Sequence, residues 1–131
     1  MSPVDPASPK VMRWAGSSRP TVFADVTNDM RIAREEIFGP VMSVIAYDTV
    51  AEAVDIANDS PYGLAAYIHG TDPGQVRAVA AQLRAGQVIV NSGYPDLTAP
   101  FGGYKQSGNG RVWGLAGLEE YLETKAVVSA P

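Results

Sequence analysis

The chain has 131 residues, which is enough for one domain with its own apolar core. Its 14 acidic and 10 basic residues give a net charge of −4 and form no runs, so neither nucleic acid nor an anionic membrane is an expected partner. No apolar run reaches the roughly 18 to 20 residues that span a bilayer, and residues 1–10 lack the apolar region of a signal peptide. These features predict a cytoplasmic protein.

Cysteine is absent from the sequence, and this excludes whole classes of chemistry for the polypeptide. Without a thiol there is no disulfide, no thiolate metal ligand and no cysteine nucleophile. The single histidine, His69, has no acidic cluster beside it in the sequence, so a metal site is not expected.

The N-terminal third predicts a strand, a short helix and a second strand. Residues 1–19 are rich in proline and serine without apolar periodicity, and they predict an irregular lead-in. Residues 21–26 are rich in β-branched and aromatic side chains and predict a strand. Residues 30–37 predict a short helix with Ile37 among its inward-facing positions. Residues 41–47 are almost continuously apolar, which predicts a central strand covered on both faces.

A capped helix and a third strand follow. Thr49 and Glu52 have the spacing of a capping box, in which each satisfies a backbone N–H group at the start of a helix. The polar run at residues 58–61, which includes a proline, predicts the end of that helix. Residues 64–69 then predict a strand.

The next helix and strand complete an alternating pattern. Asp72 predicts an N-cap, Pro73 the first helical position and Gly86 the end of the helix. Residues 87–91 predict another β-branched strand. Because strands and helices alternate, we expect right-handed βαβ crossovers and an α/β fold with a mainly parallel sheet.

The C-terminal third opens with a long irregular stretch, residues 92–110, that is rich in glycine. Long loops at strand ends often bind ligands. A phosphate cradle is not favoured here, because the order strand, glycine-rich turn, helix is missing. Leucines at helical spacing over residues 115–122 predict a helix, and residues 125–128 predict a last strand.

Residues 34–41 carry the combination most typical of a ligand site, namely two carboxylates, an aromatic ring and a Gly-Pro pair. The carboxylate of Glu35 or Glu36 could accept two hydrogen bonds from a vicinal diol such as a ribose. The ring of Phe38 offers a flat apolar face. The alternative is a helix end with solvated glutamates and Phe38 packed in the core.

Four blocks of the sequence resemble one family in the correct order. They are Pro-Thr-Val-Phe-Ala-Asp-Val at 20–26, Glu-Glu-Ile-Phe-Gly-Pro-Val at 35–41, Pro-Tyr-Gly-Leu-Ala at 61–65 and Pro-Phe-Gly-Gly-Tyr-Lys-Gln-Ser-Gly at 100–108. On these blocks the chain is similar to the aldehyde dehydrogenase superfamily, over roughly residues 20–128. The resemblance implies that residues 20–131 form the C-terminal portion of the catalytic domain.

This resemblance implies a chemistry that the chain holds only in part. In the family a cysteine thiolate attacks an aldehyde, hydride passes to NAD or NADP, and an activated water releases the carboxylic acid. The nucleophile, the general base and the main dinucleotide-binding domain would then lie upstream of residue 1. No catalytic residue is therefore assigned to this polypeptide.

The resemblance also gives roles to individual residues. Glu36 would bind the nicotinamide ribose, and Phe38 would flank the nicotinamide ring. Phe101 would form an apolar wall for the substrate, with core packing as the open alternative, and Lys105 would anchor the loop. Val112 departs from the family, whose members usually carry a glutamate there, and this places the geometry of the loop in question.

Two functions remain in view. The first is the C-terminal portion of an NAD(P)-dependent aldehyde dehydrogenase, present as a split gene, a truncation or an engineered piece. Such a portion would be inactive alone and would associate with a complementary N-terminal portion or as a homo-oligomer. The second is a non-catalytic remnant or assembly module that binds itself or related subunits.

Overall fold

The computed structural model describes residues 18–94 and 96–130, and the chain divides into two compact units, Met1–Ala46 and Tyr47–Pro131. The first unit contains strand β1 (Thr21–Phe23), helix α1 (Arg31–Arg34) and strand β2 (Val41–Ser43). The second contains helix α2 (Val50–Asn58), strand β3 (Ala65–Ile68), helix α3 (Pro73–Ala80), strand β4 (Gln87–Val90), a short 3-10 helix (Lys105–Ser107) and helix α4 (Gly114–Glu119). Most of the predicted lead-in, residues 1–17, lies outside the described residues.

Each unit contains one parallel pair of strands joined through a helix, which confirms the predicted α/β class with βαβ crossovers. In the first unit β1 pairs with β2, with Thr21 opposite Val41 and Phe23 opposite Ser43. In the second unit β3 pairs with β4. Pairing of strands that flank a helix is the arrangement that alternation in the sequence predicts.

Helix α1 is shorter than predicted and ends at Arg34. Glu35 is already extended, with φ −99° and ψ 137°, and its N–H group donates to the Arg31 carbonyl. Ile37 consequently leaves the helical face and is 48% exposed, so its predicted inward position is wrong. An isolated helical turn has little stability of its own, and no buried side chain of α1 holds further turns in place.

Strand β2 is also shorter than predicted, and it is not covered on both faces. Within the described residues it pairs only with β1, and Met42 is 60% exposed. The backbone hydrogen bonds continue past the strand, since Val44 N–H donates to Phe23 O at 2.8 Å and Val26 N–H donates to Val44 O at 3.2 Å. Val26 is buried against this edge and forms the apolar centre of the unit.

The predicted caps begin both longer helices of the second unit. Thr49 Oγ1 accepts from Glu52 N–H at 3.2 Å, while the Glu52 carboxylate accepts from Asp48 N–H at 2.8 Å. Asp72 Oδ1 accepts from the N–H groups of Gly74 and Gln75, and proline occupies the first helical position. Both helices therefore start where the local sequence chemistry predicts.

Gly86 was predicted to end α3, but the helix ends at Ala80. The physical requirement for glycine at position 86 is close backbone approach. A Cβ atom added there would lie 1.5 Å from the Gly102 carbonyl oxygen, a distance that no two such atoms can share. Gly86 thus lets the long loop pass directly over the start of β4.

The predicted last strand, residues 125–128, does not form. The described residues after Glu120 contain no helix or strand, and Val127 and Val128 are 88% and 92% exposed. A strand needs a neighbour for its backbone hydrogen bonds, and no described strand offers a free edge that this segment uses. The apolar residues of the segment are therefore left in solvent in this chain.

Candidate functional site

The two glutamates of the motif differ in what they contact. Arg31 Nε and Nη2 donate to the two carboxylate oxygens of Glu35 at 2.7 and 2.8 Å, in a bidentate pair across one helical turn. These hydrogen bonds hold the pKa of Glu35 below its ordinary value and raise that of Arg31. The Glu35 carboxylate is thus already engaged by the first residue of the helix that precedes it.

Glu36, one residue later, is exposed and makes no hydrogen bond or ion pair with any residue that the structure describes. It lies on the wall of an open cleft of about 380 Å³ in the first unit. The apolar part of that wall comes from Ile32, Val41 and Ile45, and Phe38 stands beside them. A free carboxylate and an aromatic ring therefore border the same cleft.

Phe38 has a backbone conformation that is rare for its residue type. Its φ is +52°, in the left-handed region, and its side chain is 93% exposed. A bulky residue in this region is strained by about 1 to 3 kcal/mol, and such strain concentrates at ligand sites. Phe38 is therefore not packed in a core formed by the described residues, which was the alternative interpretation of this position.

Phe101 belongs to the second unit and is held by its backbone. Its N–H and C=O groups form an antiparallel bridge with Val112, at 2.7 and 2.8 Å. Its ring packs against Trp113 with centroids 4.8 Å apart and planes tilted by 37°. The side chain is half-buried, so one face packs on the indole while the remainder stays accessible.

Lys105 anchors the loop, as predicted. Its ammonium group donates to the carbonyl oxygens of Asn58 and Ser60, at 2.7 and 3.0 Å. Asn58 is the last residue of α2, and Ser60 lies two residues beyond it. Beside it, Ser107 Oγ accepts from Gly63 N–H at 3.0 Å. Val112, at the position that departs from the family pattern, forms its backbone bridge to Phe101, so the hydrogen-bonded geometry of the loop accommodates valine there.

Two loop residues that the sequence analysis did not single out organise this region. Arg111 Nη1 donates to the carbonyl oxygens of Gly103, Asn109 and Gly110, and its guanidinium lies 5.4 Å from the Tyr104 ring centroid. Asn91 adopts a left-handed conformation directly after β4 and exchanges two hydrogen bonds with the Gly70 backbone. An asparagine at a strand end is a recognised signal for such a turn.

No group of three or more potential ligands drawn from histidine, aspartate and glutamate is arranged to hold a metal within residues 18–94 and 96–130. In the same part of the chain, no helix has the length and apolar character needed to cross a membrane.

A sequence model described as the aldehyde dehydrogenase family matches residues 15–127. Proteins of Staphylococcus saprophyticus and Staphylococcus haemolyticus that are named after the same family are 52% and 51% identical to this chain over 124 residues. The match covers 93% of this chain but 26% of each relative. The chain therefore spans about a quarter of the length of these curated relatives.

Solved structures of aldehyde dehydrogenases are also similar to this chain. Aldehyde dehydrogenase C of Pseudomonas syringae, in a variant bound to NAD+ and octanal, is similar with a TM-score of 0.82 and 61% identity over 85% of this chain and 23% of its own. Betaine aldehyde dehydrogenase of Staphylococcus aureus, bound to NAD+, has a TM-score of 0.77 and 48% identity over 81% of this chain and 21% of its own. The chain belongs to the aldehyde dehydrogenase family.

Proposed function

We propose that this chain supplies the nicotinamide-ribose contact of an NAD(P)-dependent aldehyde dehydrogenase whose cysteine nucleophile lies outside these 131 residues. The observation that carries this proposal is the difference between the two neighbouring glutamates. Both glutamates line the cleft, but Arg31 engages the carboxylate of Glu35, whereas Glu36 has no partner among the described residues. A carboxylate that makes no internal contact is the one available to bind a ligand.

The residues of the cleft fit a nicotinamide nucleoside. A carboxylate accepts both hydroxyl hydrogens of a ribose diol, which is the task that we assign to Glu36. The exposed ring of Phe38 offers its face to a flat heterocycle beside that ribose. When bound, the dinucleotide accepts hydride from the substrate, and the role of the chain is to hold it in a reactive orientation.

Phe101 is assigned to the substrate side of the same enzyme. The half-buried ring of Phe101, packed on the exposed indole of Trp113, presents an apolar surface that is fixed by the bridge to Val112 and by the Lys105 anchor. A fixed apolar wall favours the hydrocarbon part of an aldehyde. The similar Pseudomonas syringae enzyme was solved with octanal, whose aliphatic chain is of the kind that such a wall would accommodate.

The isolated chain should not oxidise aldehydes, because its sequence contains no thiol to form the thiohemiacetal from which hydride departs. We expect no octanal-dependent NADH or NADPH absorbance above a heat-treated control, and no hydrolysis of p-nitrophenyl acetate. Aldehyde-dependent NADH formation that disappears with Glu36→Gln would show that the chain has its own catalytic machinery and would overturn this part of the proposal.

A second function, as an assembly module, is favoured by the exposed apolar surface of the described chain. Among the described residues, only Val26, Val54 and Val76 are buried apolar residues, while Met42, Tyr67 and Val128 are each at least 60% exposed. Apolar exposure on this scale is typical of surfaces that another chain covers. Association and the cofactor contact are compatible, since an incomplete catalytic domain needs both.

We therefore expect the purified chain to form dimers or larger species at micromolar concentration. Multi-angle light scattering should give a mass well above 13.8 kDa, and a Val127→Lys, Val128→Lys variant should shift the distribution toward monomer. A matched change at the solvated α2 position Asp55→Lys should leave the distribution unchanged. A monodisperse wild-type monomer with cooperative thermal unfolding would contradict the assembly role.

A further inference from the structure

We infer that Asn109 is a site of spontaneous deamidation, and that the fold around it promotes the reaction. Of the asparagines in the chain, Asn109 is the one followed by glycine. Both Asn109 and Gly110 are exposed and lie outside helices and strands. Deamidation begins with ring closure between the asparagine side chain and the backbone nitrogen of the next residue. The next residue must therefore be flexible and uncrowded, as glycine is.

The covalent step uses only the chain and water. The Gly110 amide nitrogen attacks Asn109 Cγ, and a new N–C bond forms as the bond from Cγ to Nδ2 breaks. The proton lost from the Gly110 nitrogen leaves with Nδ2 as ammonia. Water then opens the cyclic imide at either carbonyl, which yields aspartate or isoaspartate at position 109.

Arg111 is placed to assist this step. Its guanidinium donates to the Asn109 carbonyl oxygen at 3.1 Å and to the Gly110 carbonyl oxygen at 2.9 Å. The Asn109 carbonyl shares one peptide group with the attacking nitrogen. When that nitrogen loses its proton, negative charge spreads onto the Asn109 oxygen, and a cationic hydrogen-bond donor stabilises this charge.

Space at the site is also favourable. A Cβ atom added to Gly110 would meet no atom within 4 Å, so no neighbouring group obstructs the rearrangement. The Asn109 side chain makes no hydrogen bond with the described residues. It can therefore rotate toward the backbone without breaking an existing contact.

Two other asparagines in the same chain provide internal controls. The Asn58 amide donates to the Gln82 carbonyl and accepts from Arg84 N–H, at 2.9 and 2.7 Å. The Asn91 amide exchanges two hydrogen bonds of 2.9 Å with Gly70. Both side chains must leave these partners before their Cγ atoms can be attacked, so both should react much more slowly.

The product carries one more negative charge in the loop that holds Phe101 and Lys105. A carboxylate at position 109 is a new acceptor next to the Arg111 guanidinium, where it competes with the Gly103 carbonyl at 3.0 Å. Deamidation would therefore change the contacts of Arg111, the residue that ties three loop carbonyls together. This inference depends on the loop alone and is independent of the proposed cofactor contact.

The test is incubation of the purified chain at mildly alkaline pH, followed by peptide mass spectrometry and enzymatic isoaspartate methylation. Conversion at Asn109 should exceed that at Asn58 and Asn91 by about tenfold or more, equivalent to about 1.36 kcal/mol in the barrier. Gly110→Ala should slow conversion at Asn109 by a similar factor. Equal rates at the three asparagines, or no effect of Gly110→Ala, would overturn the inference.

A second variant separates the role of Arg111 from simple exposure. Arg111→Gln removes the cation, and it should slow conversion at Asn109 if charge stabilisation assists the reaction. If the contacts of Arg111 instead restrain the loop, the same change should leave the rate unchanged or raise it, and the proposed assistance would be wrong.

Discussion

Gly86→Ala is expected to destabilise the second unit by about 3 kcal/mol or more. The added methyl carbon would fall 1.5 Å from the Gly102 carbonyl oxygen and 3.3 Å from Gly103 Cα. Both neighbours are backbone, so no side chain can rotate away to make room. The loop that holds Phe101 and Lys105 would have to leave the start of β4.

Urea denaturation followed by circular dichroism measures this effect. Gly110→Ala is the matched control, because a Cβ atom at that position meets nothing within 4 Å, and its stability should stay within about 0.5 kcal/mol of the unsubstituted chain. A Gly86→Ala chain with an unchanged denaturation midpoint would show that the close approach of the two backbones is not a feature of the folded protein.

The second large effect concerns Glu36 and is measured in a complete enzyme. Residues 20–128 would replace the corresponding segment of the Pseudomonas syringae enzyme in its cysteine-containing form. The solved variant, in which one cysteine is replaced by alanine, is 61% identical over 85% of this chain. In that chimera Glu36→Gln should slow hydride transfer by roughly 5- to 150-fold, the equivalent of a lost charged hydrogen bond of about 1 to 3 kcal/mol. The amide replaces one acceptor oxygen by a donor and can no longer receive both ribose hydroxyls.

Glu35→Gln is the control for that measurement, since it makes the same chemical change one residue away. Glu35 contacts Arg31 in a solvent-exposed pair, and such pairs contribute little to stability because water and salt screen them. Single-turnover rates should therefore fall for Glu36→Gln and stay near the parent value for Glu35→Gln. Equal rates in the two variants would mean that Glu36 is only a solvated residue at the end of a helix.

The sequence predicted the features of the fold that arise from contacts between residues close together in the chain. Thr49 and Asp72 begin their helices because their side-chain oxygens accept from nearby N–H groups, which requires no distant contact. Residues 87–90 form a strand because three of the four side chains are β-branched and favour extended backbone. Residues 65–68 pair with them in parallel from the other side of helix α3. The α/β class followed from that order alone.

The errors fall where the structure depends on distant partners. Gly86 looked like the end of a helix, yet its role is set by Gly102, which is remote in sequence. Residues 125–128 have the composition of a strand, but composition cannot show whether a neighbouring strand is present. Likewise, residue chemistry alone could not separate Glu35 from Glu36, and the choice of Glu36 came from the family resemblance. The structural difference between them lies in the hydrogen bonds that Arg31 donates to Glu35.

We propose that this chain can serve as the cofactor-contacting C-terminal portion of an aldehyde dehydrogenase. The most direct measurement is octanal-dependent reduction of NAD+ by the Pseudomonas syringae chimera that carries residues 20–128. We predict kcat/KM within about tenfold of the parent, a difference in barrier of about 1.36 kcal/mol or less. A chimera that folds and binds NAD+ but forms no NADH would contradict the claim.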